Sequence, residues 1–226
     1  MAKGLALVYL LAYNLACCAG WAYVLFICVK HIRAETIADT WSEVELPLKI
    51  VQTAAVLEVL HSMVGLVKSP WATAFMQVFS RVWTLWAIMD TTDAAQTTVF
   101  FVLACTSWGL VEVPRYLFYA LNLLNAVPYP LFWLRYSLFA VLYPTGITGE
   151  LGTMYHAFNF FITQAPIQDQ PLFRQIHLVS IVLVAITYIP GSPKMFGHMV
   201  KTRSKQFELY KNGGKESGDK KDKKKH

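Results

Sequence analysis

The sequence predicts an all-α, polytopic integral membrane protein, a bundle of six transmembrane helices with cytosolic N- and C-termini. Of the 226 residues, 55% are hydrophobic and only 15% are charged, whereas about a quarter of the residues in a soluble domain are charged. Several apolar runs approach the ~20 residues that a helix needs to cross a bilayer. A soluble layered fold would instead show short apolar runs separated by polar faces.

Six apolar segments are predicted to span the membrane, separated by polar stretches or helix breakers. We place them at residues 5–29, 48–67, 72–89, 97–120, 131–162 and 175–191. At ~1.5 Å per residue the fifth segment is longer than one crossing needs, so a tilt, a kink or a broken helix is expected there. Pro144 and Gly146 mark the predicted bend. The sixth segment is predicted to end at the breaker Pro-Gly-Ser-Pro, residues 190–193.

The distribution of basic residues predicts the orientation. Eleven of the 20 Lys and Arg residues follow residue 192, and an even number of spans places both termini on one side, which the basic tail indicates to be the cytosol. We therefore predict a membrane domain at 1–192 and a cytosolic tail without ordered structure at 193–226. Lys223 and Lys224 resemble a dilysine retrieval signal, which predicts a multi-pass protein of the endoplasmic reticulum membrane.

Composition and spacing argue against several other classes of protein. No basic stripe is interleaved with aromatic residues, so a nucleic-acid partner has no support. All four cysteines lie in apolar stretches, which favours buried free thiols over a disulfide framework. The chain lacks CxxC spacing for zinc, and Glu58-x-x-His61 is half of a di-iron ligand set whose second copy is missing. We therefore predict no metal and no cofactor.

Ionisable side chains inside the predicted spans are functional candidates, because charge at membrane depth is costly and normally faces the protein interior. The predicted supporting polar network consists of Glu58, His61, Arg81 and Glu112. Glu58 and His61, three residues apart, are interpreted as a hydrogen-bonded pair that locks helix packing. Arg81 is interpreted as a partner of Glu58 or Glu112. Glu112 and Arg115 have the spacing of an ion pair on one helix face.

Tyr143 and Glu150 are the candidate catalytic pair. Seven residues correspond to about 700° of helix, so the two side chains point within about 20° of one direction, two turns apart. A phenol and a carboxylate on one face in a low dielectric are suited to proton transfer. Pro144 removes a backbone donor between them, and Gly146 is expected to let another group approach closely. The spacing alone leaves the reaction open.

Four stretches of sequence carry a resemblance to a known family. The segment LRYSLFAVLYPTGITGELGTMY, residues 134–155, resembles the membrane family of very-long-chain 3-hydroxyacyl-CoA dehydratases, once called protein-tyrosine-phosphatase-like. The other three are QTAAVLEVLHSMVGLVKSP at 52–70, SWGLVEVPRYLFYALNLL at 107–124 and YIPGSPKMFGHMV at 188–200. The core YPTGxxxE is specific, whereas Pro114 departs from the expected pattern. The chain lacks the His-Cys-x5-Arg loop of a tyrosine phosphatase.

The resemblance implies the third step of the fatty-acid elongation cycle, which removes water from a (3R)-3-hydroxyacyl-CoA to give the trans-2-enoyl-CoA. The family's catalytic Tyr and Glu fall on Tyr143 and Glu150. We favour Glu150 as the base at C2 and Tyr143 as the donor to the C3 hydroxyl, and the reverse assignment stays open. The implied partners are the acyl-CoA substrate, the bilayer and the other elongation enzymes (elongase, ketoacyl-CoA reductase and enoyl-CoA reductase).

Three basic residues are candidates for binding the CoA phosphates at the cytosolic mouth: Arg135, Arg115 and Lys68. Tyr143 would lie ~12 Å deeper than Arg135, and Glu150 ~22 Å deeper. The main alternative is a non-catalytic membrane scaffold for elongation or signalling proteins, although such a scaffold has no need of Tyr143 and Glu150. A transporter would show repeated halves, and a condensing elongase would need an HxxHH box. Neither feature occurs in the sequence.

Overall fold

A computed structural model describes residues 2–67 and 71–212 of the chain. All regular structure in these two ranges is helical, which confirms the all-α prediction. The α-helices are α1 (Ala2–Arg33), α2 (Thr40–Ala54), α3 (Val56–Met63), α4 (Trp71–Trp83), α5 (Asp93–Gln96), α6 (Val99–Leu123), α7 (Tyr129–Ser137), α8 (Phe139–Gln164) and α9 (Leu172–Lys211). A π-helical stretch, Thr84–Met89, continues α4, and short 3-10 turns precede α2 and α9.

Two of the described helices are long and apolar enough to cross a membrane, judged by length and composition. They are Gly4–Arg33 and Leu172–Lys211. Both helices expose large apolar side chains, for example Phe26 on α1 and Ile189 on α9. Such exposed apolar faces fit a surface in contact with lipid. These helices indicate a membrane protein, and the arrangement of six spans with cytosolic termini stays a prediction.

The centre of the fold is α6, which packs against α1 on one side and α8 on the other. Trp21 of α1 and Phe101, Trp108 and Tyr116 of α6 are buried together in the larger apolar core. A smaller core joins α8 and α9, where Met154 packs with other buried apolar side chains. All four cysteines are free, as predicted, and three of them are buried. The candidate site lies where α6, α8 and α9 meet.

A glycine lets α8 lie directly against the backbone of α6. A Cβ atom added at Gly149 would lie 2.5 Å from the backbone nitrogen of Ala104 and 2.8 Å from the carbonyl oxygen of Phe100. The close approach predicted at Gly146 is wrong, because a Cβ there would meet only the Cβ of Ser107, at an ordinary 3.7 Å. The tight contact therefore lies next to Glu150 and fixes its distance from α6.

Replacing Gly149 by Ala is expected to destabilise the protein by about 1–3 kcal/mol, because the new methyl group meets backbone atoms that cannot rotate away. The measurement is the thermal unfolding temperature in detergent. Gly197→Ala on α9 is the matched control, since a Cβ there meets nothing within 4 Å and alanine favours a helix over glycine. Equal unfolding temperatures for the two variants would contradict this close contact.

The fifth predicted span is a broken helix, as expected, but the break is not at Pro144 or Gly146. It falls at Leu138, between the end of α7 and the start of α8. A proline ring clashes with the carbonyl group four residues earlier, so the distortion it causes lies on its N-terminal side. Pro144 itself lies inside α8, and Tyr143 and Glu150 therefore share one continuous helix.

The predicted end of the sixth span at residues 190–193 is wrong. Pro190 and Pro193 both lie inside α9, which continues to Lys211. Each proline keeps a helical φ and removes a single donor, so a helix can pass through it where packing on a neighbour supports it. Residues 193–211 are thus helical rather than unstructured. Lys223 and Lys224 lie outside the described residues, and the retrieval signal stays a prediction.

The other predicted apolar segments coincide with helices whose ends are shifted, and whether those helices cross the membrane stays a prediction. The predicted 97–120 corresponds to α6. The predicted 72–89 is α4 with its π-helical continuation. The predicted 48–67 is divided between α2 and α3 at Ala55, and its helix already begins at Thr40. Residues 40–47, predicted to lie between the first two spans, are therefore helical, and Pro47 lies inside α2.

Candidate active site

The Glu150 carboxylate lies where three helices meet. Glu150 is a residue of α8, and 8% of its surface is exposed. The indole Nε1 of Trp108, on α6, donates a hydrogen bond to Oε1 at 2.8 Å, and the hydroxyl of Tyr188, on α9, donates to Oε2. A buried carboxylate needs such donors, because desolvation without a partner is costly. Both oxygens are therefore held in a fixed orientation by neutral donors.

Tyr143 lies two turns before Glu150 on the same helix and is half-buried. Its ring lies 6.4 Å from the ring of Phe196 on α9, centroid to centroid. Ser192, one helical turn before Phe196, is near its hydroxyl. Tyr143 and Glu150 both face α9, as their seven-residue spacing predicts. The structure thus brings a phenol and a carboxylate to one helix–helix boundary.

Further hydroxyl groups surround this boundary. The hydroxyls of Ser107 on α6 and Thr145 on α8 lie 3.0 Å apart. Thr84, in the π-helical stretch, lies at the hydroxyl of Tyr188. π-helical turns often occur at functional sites, and this one brings its side chains to the centre of the fold, where Thr84 itself is buried. The surroundings of the pair are therefore polar but contain few charges.

An ionic network lies beside this site and joins α3, α4 and α6. Arg81 donates to Glu112, and the Nε of Arg115 donates to the other oxygen of Glu112. The Nη1 and Nη2 atoms of Arg115 donate to the two oxygens of Glu58, each at 2.7 Å. Tyr116 also donates to Glu58. The predicted pairings of Arg81 with Glu112 and of Glu112 with Arg115 are confirmed.

The interpretation of Glu58 and His61 as a hydrogen-bonded pair is wrong. Arg115 and Tyr116 occupy the Glu58 carboxylate, and His61 turns towards α1. Its Nε2 is 2.9 Å from the hydroxyl of Tyr9, and its ring packs edge-on against Tyr13 with 5.0 Å between centroids. His61 therefore links α3 to α1 and lies apart from the carboxylates.

The three residues predicted to bind CoA phosphates differ in their surroundings. Arg115 donates to two carboxylates through Nε, Nη1 and Nη2, which argues against a phosphate-binding role. Arg135 donates from Nη2 to the Tyr119 hydroxyl at 3.0 Å, lies over the rings of Tyr119 and Tyr136, and has a buried Nε without a hydrogen-bond partner. No ion pair joins Arg135 to a carboxylate of the described residues. Lys68 lies outside them.

The described ranges contain no group of three or more His, Cys, Asp or Glu side chains that could hold a metal ion. Two further histidines, on α8 and α9, have simple contacts. His177 places Nε2 2.7 Å from the carbonyl oxygen of Ala87, and His156 packs against Phe100. Neither forms a hydrogen bond with Tyr143 or Glu150 among the described residues.

Residues 52–209 match a family model described as "Protein tyrosine phosphatase-like protein, PTPLA". The match covers most of the chain and includes the site and the ionic network. The chain belongs to the PTPLA family. No solved structure matches it.

Curated relatives of this PTPLA-family chain carry enzyme names. It is 39% identical over 207 residues to the "Very-long-chain (3R)-3-hydroxyacyl-CoA dehydratase hpo-8" of Caenorhabditis elegans, covering 87% of this chain and 93% of the relative. It is 38% identical to "Very-long-chain (3R)-3-hydroxyacyl-CoA dehydratase 2" of Homo sapiens, and the match covers 89% of this chain and 81% of the relative. It is 35% identical to "Very-long-chain (3R)-3-hydroxyacyl-CoA dehydratase PASTICCINO 2" of Arabidopsis thaliana, and the match covers 90% of this chain and 95% of the relative.

Sequence reasoning missed three residues that contact the pair in this PTPLA-family protein: Trp108, Tyr188 and Ser192. A tryptophan in an apolar span is expected to be core, and nothing in the local pattern indicates a carboxylate partner for it. Tyr188 and Ser192 have the four-residue spacing of one helix face. A helix that ends at residues 190–193 leaves no helix face at Ser192, so this spacing could not be used for prediction. The resemblance of residues 188–200 to the family is the feature of the sequence that indicates a role for this segment.

Proposed function

We propose that this chain dehydrates very-long-chain (3R)-3-hydroxyacyl-CoA to trans-2-enoyl-CoA, the third step of the fatty-acid elongation cycle. The observation that carries the proposal is the buried, doubly hydrogen-bonded carboxylate of Glu150, two turns from the half-buried phenol of Tyr143 on one helix face. The dehydratase names of the relatives, at 35–39% identity over most of the chain, supply the reaction.

The reaction needs one group to take a proton and another to give one. The thioester acidifies the C2–H bond, and the C3 hydroxyl leaves as water only when it is protonated. Glu150 takes the C2 proton while Tyr143 protonates the C3 hydroxyl, so the C3–O bond breaks and the C2=C3 bond forms. Glu150 then holds the proton taken from C2, while the proton of Tyr143 has left with the water. Transfer of a proton from Glu150 to the Tyr143 phenolate restores the enzyme. The chain needs no cofactor for this cycle.

An apolar groove beside the pair offers a place for the acyl chain. Its volume is about 320 Å³, and its walls are aliphatic and aromatic side chains of α8 and α9. Leu151 in the wall directly follows Glu150, and Ile189 directly follows Tyr188. A 3-hydroxyacyl group bound at the pair would therefore have its hydrocarbon tail next to the groove. We place the acyl chain here, between α8 and α9.

Replacing Ala185, a small residue in the groove wall, by Phe is expected to shift the chain-length preference. The added ring takes up space that a long chain would occupy, so the kcat/KM ratio of the longest to shorter substrates should fall about ten-fold. The measurement is turnover across a series of acyl-CoA lengths. Leu183→Phe, on the exposed face of α9, is the control. An equal loss at every length would place the acyl chain elsewhere.

The six-span arrangement is part of the proposal. Each of α1, α6, α8 and α9 has at least 25 residues, more than the ~20 that one crossing needs, and α2–α3 and α4 with its π-helical stretch would supply two further crossings. Lys49 forms ion pairs with Glu45 and Asp90. The Lys49–Asp90 contact joins α2 to the turn after the π-helical stretch, which supports placing these two segments at one end of the bundle, opposite the basic tail.

The location and partners follow from the same proposal. A cytosolic tail ending in Lys223-Lys224-Lys-His would direct the protein to the endoplasmic reticulum membrane. The substrate would come from an elongase and a ketoacyl-CoA reductase, and the product would pass to an enoyl-CoA reductase. Of the two described arginines predicted to contact the CoA phosphates, Arg135 is the better candidate, because Arg115 is held by two carboxylates and an arginine fork suits phosphate.

A depletion experiment in cells tests the proposed function. Cells that have lost their own dehydratase accumulate 3-hydroxyacyl-CoA, and expression of this chain is expected to lower that pool and restore very-long-chain products, as measured by mass spectrometry. Glu150→Gln should reach the same membrane and leave the pool unchanged. An unchanged pool with the wild-type chain would favour the non-catalytic scaffold.

A further inference from the structure

One turn of α9 presents two hydroxyl groups to the two members of the catalytic pair. Tyr188 donates to Glu150. The ring of Tyr143 lies beside Phe196, one helical turn after Ser192, which brings Ser192 near the Tyr143 hydroxyl. Residues four apart lie on one face of a helix, whereas Tyr143 and Glu150 are two turns apart on α8. A single segment of α9 therefore contacts both groups that the proposed reaction uses.

The Glu150 carboxylate is held from opposite helices. Trp108 is 3% exposed in the main core and fixes Oε1 from α6. Tyr188 fixes Oε2 from α9, and its hydrogen bond to a charged oxygen belongs to the stronger, charge-assisted kind. Removing the Tyr188 hydroxyl would leave the carboxylate held from α6 alone, free to turn about its remaining contact.

The backbone around Ser192 is restricted. Pro190 and Pro193 lie inside α9 on either side of it, and each fixes its own φ near the helical value. The smaller core of α8 and α9 includes Tyr188 among the side chains packed against it, so the segment is anchored one turn before Ser192. Position 192 is therefore set by packing and proline geometry rather than by a mobile loop.

We infer that Tyr188 and Ser192 are positioning residues, which hold Glu150 and Tyr143 at the separation that the dehydration requires. This inference rests on the proposed function. The proton at C2 and the oxygen at C3 belong to adjacent carbons, so the base and the acid must be held in a fixed relation to each other. A misplacement of about 1 Å in such an arrangement costs on the order of 100-fold in rate. Tyr188 acts through Glu150, and Ser192 acts through Tyr143.

The test compares variants that remove one hydroxyl group each. Tyr188→Phe and Ser192→Ala are expected to lower kcat by about 10- to 100-fold with KM near the wild-type value, because substrate binding is untouched. Ser192→Thr keeps a hydroxyl group and should recover most of the kcat lost in Ser192→Ala. Tyr23→Phe, on the exposed face of α1, is the matched control for loss of a phenol and should have wild-type kcat.

The possible outcomes separate this inference from the proposed function. Wild-type kcat in Tyr188→Phe and Ser192→Ala, with Glu150→Gln inactive, would overturn the inference and leave the function standing. If Tyr188→Phe does not fold, the two Ser192 variants provide the test. Equal kcat in Ser192→Ala and Ser192→Thr would then overturn the inference. A loss that appears only in KM would also overturn it. A wild-type protein that makes no enoyl-CoA would overturn both.

Discussion

Tyr143→Phe is expected to lower kcat by about 10²–10⁴-fold, the range for loss of a group that transfers a proton in the rate-limiting step. Phenylalanine keeps the aromatic ring, including its contact with Phe196, and removes only the hydroxyl that would protonate the leaving oxygen. KM should change little, and the unfolding temperature should stay near that of the wild type. Tyr129→Phe, an exposed tyrosine at the start of α7, is the control for loss of a hydroxyl elsewhere.

Glu150→Gln is expected to lower kcat by the same factor as Tyr143→Phe. An amide cannot take the C2 proton at a useful rate, although it fills the same space. Glutamine also offers one acceptor oxygen in place of two, so either Trp108 or Tyr188 loses its partner, and the unfolding temperature is measured alongside turnover. Wild-type turnover in this variant or in Tyr143→Phe would contradict the assignment of the pair.

Hydrogen exchange at C2 distinguishes the two roles. With substrate in deuterated water, a base at C2 exchanges the C2 proton with solvent even when the hydroxyl cannot leave. If Glu150 is the base, Glu150→Gln abolishes this exchange and Tyr143→Phe retains it. The opposite pattern would establish the reverse assignment, with Tyr143 as the base.

The second large effect is expected in the ionic network, on stability. Arg115→Met should destabilise the protein by about 3–5 kcal/mol, because it leaves the carboxylate of Glu58 without its bidentate partner and takes one of two arginines from Glu112. Glu112 is 2% exposed, so water cannot replace the lost donor. The measurement is unfolding by heat or denaturant in mild detergent, followed by helix content.

The control for this prediction is an ion pair at the surface. Lys30 and Glu43 lie 2.6 Å apart and are both largely exposed, and exposed pairs contribute little to stability. Lys30→Met should therefore unfold close to the wild-type temperature. An Arg115→Met variant as stable as Lys30→Met would show that the network does not hold α3, α4 and α6 together.

The features that sequence could predict are local ones. Helical periodicity placed Tyr143 and Glu150 on one face, and both do face α9. The three-residue spacing of Glu112 and Arg115 predicted their ion pair, because neighbours on one helix face meet whatever the tertiary fold. The all-α class followed from composition and the length of the apolar runs.

The features that sequence reasoning missed depend on packing between distant segments. Trp108 and Tyr188 lie 42 and 38 residues from Glu150, and no local pattern states which helices pack together. The close approach at Gly149 rather than Gly146 depends on where α6 passes. The prolines at 190 and 193 predict a helix end, whereas α9 continues through them and its Phe196 packs against Phe139 and Tyr143 of α8.

The most direct test of the central claim is product formation by the purified protein. A very-long-chain (3R)-3-hydroxyacyl-CoA is given to the wild-type chain and to Tyr143→Phe in matched amounts, and trans-2-enoyl-CoA is measured by mass spectrometry. Steady product is expected from the wild type and almost none from Tyr143→Phe. Absence of product from folded wild-type protein, or equal product from both, would contradict it.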